Sequence, residues 1–274
     1  MSFDLIVVGQ GFAGLACAAE AAALGLRVAH YEGEFAGGLV VNVNELERFD
    51  EAGGLSGMDH AMTQARDNGK AGVANRQAAV SAIRVVGEGA AATFEVTADD
   101  GTAAARAVVL ATGARLQPLG VPGETEFEGR GVSHCADCDG PMFSDAEVVV
   151  AGGGPWALQE ALLLARDCAA VHLVHDGARP AVDDETLARV LAEPKIRLHA
   201  GTRIAAVLGD AQGMAGVRLQ DAGGGARDLP AAGLFPVLGL QPNSDLAPAA
   251  VARDAGGHLV VDADGETAVR SLWA

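Results

Sequence analysis

Positive charge is scarce in this chain: 19 Lys and Arg stand against 36 Asp and Glu, a formal net charge of −17. A surface of that sign repels phosphate backbones and anionic headgroups alike, so neither nucleic acid nor a membrane surface is an expected partner. Long apolar runs are missing too, and nothing approaches the roughly 20 residues of a membrane-spanning helix. The opening "MSFDLIVV" contains Asp4, lacks a basic leader and reaches Gly9 before a signal-peptide core can form. The expected location is cytoplasmic. Cysteine is rare, four in 274 residues. That excludes a disulfide framework, and in a reducing compartment a close pair of thiols binds metal or does redox chemistry. Low-complexity tails and long charge runs are absent.

What the chain does have is apolar mass, 50% of its residues, and a course that nearly repeats. "FDLIVVGQGFAGLACAAEAAALGLRVAHYEGE" predicts a strand over 3–8, a turn with Gly9, Gly11 and Gly14, an Ala/Leu helix, and a strand over 26–31 ending at Glu32. "AEVVVAGGGPWALQEALLLARDCAAVHLVHDGA" predicts the same: a strand over 147–151, then Gly152, Gly154 and Ala157, a helix, and a strand over 170–175 ending at Asp176. After each unit come short strands, 80–111 broken by "GEGA" and "ADDG", and 202–239 broken by "GDAQG" and "DAGGG". The expected fold is α/β, with two Rossmann-like domains that each carry a β-meander. The Pro/Gly-rich stretch 115–124 and "GLQPN" at 239–243 are the expected crossings between them.

The first turn has a strand before it, a helix after it, and an acid 18 residues beyond Gly14. In that pattern one glycine permits the tight turn, the second lets a pyrophosphate approach backbone N–H groups, and the third lets helix and strand pack closely. Glu32 would accept hydrogen bonds from a ribose. Two such units point to a flavin and a nicotinamide, or to a duplicated ancestor that kept one site. In the second turn Pro155 lacks an N–H that could meet a phosphate, and Trp156 adds bulk beside the binding edge. Asp176 stands where an acid holds the 2′ and 3′ hydroxyls of NADH and repels the 2′-phosphate of NADPH. Arg179 is the only cation nearby in sequence, so the residues favour NADH.

"SHCADCDGP" holds Cys135 and Cys138 two residues apart, followed by Asp139. A zinc site needs four N/S ligands, and the chain offers no second C-x-x-C or H-x-H, so no metal is expected. Cys17 and Cys168 fall in the two Ala/Leu helices and read as core. A pair at a helix start can close a disulfide, and that helix end favours the thiolate. Asp139 either moves a proton or merely suits the start of a helix. His134 either steadies the Cys135 thiolate or is an exposed loop residue. His172 reads as a core or edge histidine, and His30 and His175 as borders of nucleotide grooves.

The order of these features, the first Gly-rich turn, Gly37 and Gly38, "LATGA" at 110–114, "FEGRGVSHCADCDG" at 127–140 and "GGGPWALQEALLLA" at 152–165, resembles the bacterial low-molecular-weight thioredoxin reductases over essentially the whole chain. These are FAD-dependent pyridine nucleotide-disulfide oxidoreductases that pass electrons from a nicotinamide to a C-x-x-C and on to a protein disulfide. The resemblance implies a split FAD domain, 1–114 with 241–274, and an inserted NAD(P)H and disulfide domain, 115–240. It implies that Gly9, Gly11, Phe12, Ala13 and Gly14 cradle the FAD pyrophosphate and Glu32 its ribose. By the same likeness Gly38, Leu39 and Asn44 lie along the flavin, and Ala111, Thr112 and Gly113 cover it. Gly152, Gly154 and Asp176 are the expected contacts to NADH or NADPH. Cys138 would face the flavin and Cys135 attack the partner, with Asp139 as acid/base. The expected partner is a thioredoxin-like protein or a small disulfide, the expected assembly a homodimer, and rotation of the inserted domain at the crossings an expected motion.

Three departures qualify this. NADPH users of the family carry an Arg pair where Asp176 and Gly177 stand. Leu39 and Val40 replace a Gln-containing polar run beside the flavin. The chain also stops at "VRSLWA", where the family continues with A-G-D and a few dozen residues more, so truncation of a longer protein is expected, the alternative being a natural short form with an incomplete FAD site. Two alternatives follow: a flavin disulfide enzyme that works without NAD(P)H, using a ferredoxin-type donor or running as a dithiol oxidase, and a non-catalytic nucleotide-binding or redox-sensing module.

Overall fold

The computed structural model describes residues 2–43, 46, 55–87 and 92–274. The chain forms two compact units, Met1–Arg115 with Gln241–Ala274, and Leu116–Leu240.

In the first unit β1 (Ser2–Val8), α1 (Phe12–Ala23) and β2 (Val28–Glu32) realise the first β-α-β unit. Helix α2 (Gly57–Lys70) follows, then β3 (Ala74–Gln77), β4 (Val80–Val86), β5 (Thr93–Ala98) and β6 (Gly101–Leu110). The sheet order is β3-β2-β1-β6-β5-β4, parallel from β3 to β6 and antiparallel beyond. The first half of β6 pairs with β5, and its second half pairs with the short β16 (Leu272–Trp273). β1 has no polar alternation after Asp4 because both its faces are covered. Leu5 and Val7 pack with Ala18 and Ala21 of α1, whereas Ile6 and Val8 join Phe94, Val96 and Leu272 on the other face. The strand expected from residue 26 begins at Val28, because Leu26 is spent closing α1 through its N–H to the Ala21 carbonyl, 3.1 Å.

β7 (Ala114–Leu116) and β15 (Leu240–Pro242), the two strands at which the chain crosses, pair with each other. The second unit carries the one-turn α3 (Ala136–Asp139), β8 (Glu147–Ala151), α4 (Pro155–Leu164), β9 (Ala170–Val174) and α5 (Asp184–Ala192). It continues with β10 (Ile196–His199), β11 (Thr202–Asp210), β12 (Gly213–Asp221), β13 (Ala226–Pro230) and β14 (Gly233–Pro236). Strands β10-β9-β8-β14 form a parallel sheet and β11-β12-β13 an antiparallel one. Val148, Val150, Val171 and Leu173 face α4 and α5, and Val149, Ala151 and Val174 face the antiparallel strands through Val207, Val217 and Leu219. Cys168 is buried as expected but lies in the turn after α4, not inside a helix. No helix among the described residues is long and apolar enough to cross a membrane.

Candidate functional site

The first Gly-rich turn is held by contacts that only glycine allows. Gly9 has φ +102°, and a Cβ there would sit 2.3 Å from the Ala111 carbonyl oxygen; one on Gly14 would meet the Gly9 oxygen at 1.9 Å. Gly11 differs, since the nearest atom to its notional Cβ is the Gly37 oxygen at 3.9 Å, which leaves that backbone edge open. α1 starts at Phe12 with no side-chain cap, so its first N–H groups present the positive helix end to the open edge. Phe12 and Ala13 are exposed there, and the Phe12 ring stacks on His60, with centroids 5.1 Å apart.

Glu32 is aimed at this turn: its carboxylate accepts from the Gln10 N–H at 2.8 Å and the Glu34 N–H at 3.1 Å. The Gln10 carbonyl in turn accepts from Gly37 N–H at 2.7 Å, and this bond sets the "GG" pair beside the turn. Gly38 and Leu39 open a 3-10 turn and are exposed; Asn44 lies outside the described residues. Ala111 donates to the Val8 carbonyl, 2.8 Å, and Thr112 is locked by Asn243, which accepts from the Thr112 hydroxyl through its carbonyl at 2.6 Å and donates to the Thr112 carbonyl at 2.9 Å. Gly113 is in the left-handed region at φ +61° with open space around it. These residues therefore converge on one open backbone edge. His30 is buried beneath it with Nε2 2.9 Å from the Gly9 carbonyl, and burial pushes its pKa down. An open helix N-terminus with an oriented carboxylate 18 residues past its last glycine fits an adenine dinucleotide such as FAD.

In the second unit a cleft of about 630 Å³ opens over Gly152, Gly153 and Gly154. Gly152 has φ +148° and a Cβ on it would meet the Val237 carbonyl at 2.1 Å, while Gly154 has nothing within 4 Å. Pro155 is the first residue of α4, where its missing N–H costs the helix nothing. Trp156 lines the cleft, but its Nε1–H is drawn back to the Glu160 Oε1, 2.9 Å, one turn along the helix. Asp176 lines the cleft at the end of β9, beside buried His175, whose Nε2 has no partner.

The sequence named Arg179 as the only cation near Asp176. Arg179 is paired with Asp184, and a different arginine, Arg203 of β11, lines the cleft with Asp176 and donates to Gln220. Chain proximity hid it, because Thr202 N–H bonds the His175 carbonyl at 3.0 Å across the sheets. A second cavity, of about 530 Å³, lies over β1 and β6 and is lined by none of the candidate residues.

Cys135 and Cys138 form a disulfide with Cα atoms 5.3 Å apart, inside the usual range for such a bridge. Val132 and Ser133 run beside β14, Ser133 N–H donating to the Leu234 carbonyl at 3.0 Å, which fixes the segment entering the pair. Cys135 caps α3, and its Sγ accepts from Cys138 N–H at 3.1 Å. Ser133, which the sequence reading missed, is buried between the pair and Asp139: its hydroxyl donates to Asp139 Oδ2 at 2.7 Å and accepts from Cys135 N–H at 3.2 Å. His134 turns to Glu128, 3.2 Å away, with its Nδ1 buried and unpartnered. Glu160 was missed as well. Its Oε2 accepts from Ala136 N–H at 3.2 Å, and burial raises its pKa against the pull of Trp156 and Ala136. No linear motif marks Glu160, because the partner that ties it to the cysteine turn, Ala136, comes from another element.

Comparison with known proteins agrees with this geometry. The family model described as pyridine nucleotide-disulphide oxidoreductase matches residues 3–274. A thioredoxin reductase of Treponema pallidum is 34% identical over 274 residues, covering 99% of this chain and 87% of the relative. A thioredoxin reductase of Streptomyces coelicolor is 35% identical, covering 95% of this chain and 80% of the relative. The crystal structure of Lactococcus lactis thioredoxin reductase in its FR conformation superposes with a TM-score of 0.83 at 26% identity, covering 99% of this chain and 88% of that one.

Proposed function

Because the chain belongs to the pyridine nucleotide-disulphide oxidoreductase family, we propose that it takes electrons from NADH and delivers them through Cys135 and Cys138 to a disulfide of a thioredoxin-like protein or a small molecule. It is an FAD-dependent disulfide oxidoreductase of the thioredoxin-reductase type, served by a pyridine nucleotide. The single observation that carries the proposal is the closed Cys135–Cys138 bond on a turn tied by a hydrogen bond to α4, whose first residues line the Gly-rich cleft.

In this reading residues 1–114 and 241–274 hold FAD, and 115–240 hold the nicotinamide and the disulfide. Gly9, Gly11, Phe12, Ala13 and Gly14 present N–H groups and space to the pyrophosphate, and Glu32 accepts from a ribose. Gly38, Leu39, Ala111, Thr112 and Gly113 border the flavin. When bound, FAD supplies the two-electron relay between nicotinamide and disulfide. Cys138, the more exposed residue of the pair, faces that relay and Cys135 attacks the substrate disulfide, while Asp139 holds or releases the proton through Ser133.

The choice of NADH rests on Asp176, which lines the cleft, and on the arginines around it: Arg179 is occupied by Asp184, and Arg203 by Gln220. Rapid anaerobic mixing tests this. NADH is expected to bleach the flavin band with kcat/KM at least about 10-fold above that of NADPH, a difference of about 1.4 kcal/mol. A preference for NADPH overturns the donor assignment. A flavin that responds to neither favours the second reading, a ferredoxin-type donor or dithiol oxidation, for which Pro155 and Trp156 at the cleft are the motivating residues.

A further inference from the structure

We propose that Glu160 is a positioning residue for the redox pair: its carboxyl ties the turn carrying Cys135 to the indole of Trp156, so that occupation of the nucleotide cleft adjusts how readily the reduced Cys135 sulfur gives up its proton. The coupling rests on the reading of the cleft as a nucleotide site.

The geometry begins with α4. Ala157, Leu158, Ala161 and Leu164 are buried in the apolar core beneath this helix, and Glu160 stands at the margin of that buried face. Glu160 is half-buried there, and its two oxygens each take one donor, Trp156 Nε1–H at 2.9 Å and Ala136 N–H at 3.2 Å. One donor belongs to the residue after Cys135, and the other to a side chain lining the cleft. A partly desolvated carboxylate with two donors is sensitive to the loss of either, because each bond favours the charged form.

The redox step fixes the direction of the effect. Reduction breaks the Cys135–Cys138 bond with two electrons from the nicotinamide, relayed by the flavin, and takes up two protons, or one if Cys135 stays a thiolate. A charged Glu160 holding the N–H next to Cys135 opposes a second negative charge on that sulfur. A nucleotide that draws Trp156 away from Glu160 removes one donor, so the carboxyl takes a proton more readily and its opposition to the thiolate ends. The other charged groups around the pair are already engaged: Asp139 with Ser133, His134 with Glu128, while Asp137 adds its negative charge to the pressure on Glu160. Glu160 is thus the group through which the cleft reaches the dithiol.

The test uses the full FAD-loaded chain, reduced with dithiothreitol, and follows iodoacetamide labelling of Cys135 by peptide mass spectrometry across pH. ADP-ribose serves as the probe because it has no nicotinamide to exchange electrons. Glu160→Gln loses the charge and one of the two acceptors. It is expected to lower the labelling midpoint by about half a unit or more, and ADP-ribose is expected to lower the wild-type midpoint but not that of the variant. Trp156→Phe, which keeps the ring and loses the donor, should fall between the two and respond weakly to ADP-ribose, independently of how well Glu160→Gln folds. Equal midpoints for wild type and both variants overturn the role of Glu160. Calorimetric binding of ADP-ribose without any shift in wild type overturns the coupling alone. Absence of ADP-ribose binding overturns the cleft reading and the coupling with it, while the midpoint difference between wild type and Glu160→Gln still reports on Glu160 separately.

Discussion

At His199 the neighbours dictate where every proton sits. Arg227 can only donate, and its guanidinium lies 3.0 Å from His199 Nδ1, so that nitrogen is the acceptor and Nε2 carries the hydrogen. Nε2 then donates to His172 Nδ1 at 2.9 Å, and His172 Nε2–H donates to Glu147 at 2.9 Å. The chain of donors runs one way, Arg227 to His199 to His172 to Glu147, and it leaves His199 no place for a second proton. Burial, then His172 and the two arginines, accordingly push the His199 pKa down to about 4. In the unfolded chain the same residue titrates near the ordinary 6.5. Between those values the unfolded state binds a proton that the folded state refuses, so stability present above pH 6.5 is lost as the pH falls toward 4. Urea denaturation is expected to give a lower unfolding free energy near pH 5 than near pH 7, and His199→Gln should flatten that difference. An unchanged slope in the variant assigns the acid sensitivity elsewhere.

At the scale of elements, the second Gly-rich turn makes opposite demands at two glycines that look alike in sequence. Gly152→Ala puts a Cβ 2.1 Å from the Val237 carbonyl at φ +148°, so β8 and the strand beside it must separate. A loss of about 1–3 kcal/mol in unfolding free energy is expected, with nucleotide binding lost as well. Gly154→Ala meets nothing within 4 Å. It should change stability by no more than about 0.5 kcal/mol yet, on the proposed reading of the cleft as a nucleotide site, weaken nucleotide binding, because the methyl projects into the open cleft. Calorimetry and urea midpoints on both variants separate the two. Both β-α-β units are legible in the sequence because their signal is local: an apolar run, glycines at set offsets, a small-residue helix and a closing acid. The C-x-x-C is legible for the same reason. Ser133, Glu160 and Arg203 are not, since each earns its place from a partner on another element, Ser133 from Asp139 across the cysteine turn, Glu160 from Ala136, and Arg203 from the fusion of β11 onto the end of β9. The boundary error at Leu26 has a similar cause, an apolar residue used to seal a helix end and not to start a strand.

For the whole molecule the dominant physical quantity is charge. A formal net charge of −17 gives a field that reaches beyond any one contact and acts on the approach of a substrate before the cysteines meet it. Screening shortens that reach to about 10 Å at 0.1 M salt and to roughly 3 Å at 1 M, so ionic strength should tune encounter without touching the chemistry at the disulfide. An acidic protein disulfide is repelled at low salt, and its kcat/KM is expected to rise as salt is added from about 10 mM to about 0.3 M. A basic disulfide protein should show the reverse, and an uncharged small disulfide should be nearly flat. In each case kcat should stay constant, since electron transfer inside the protein involves no charged encounter. Steady-state kinetics with the three substrate types across that range provide the measurement. If all three respond to salt in the same direction, the salt acts on the fold or the cofactor sites, and the net charge has no part in selecting the partner.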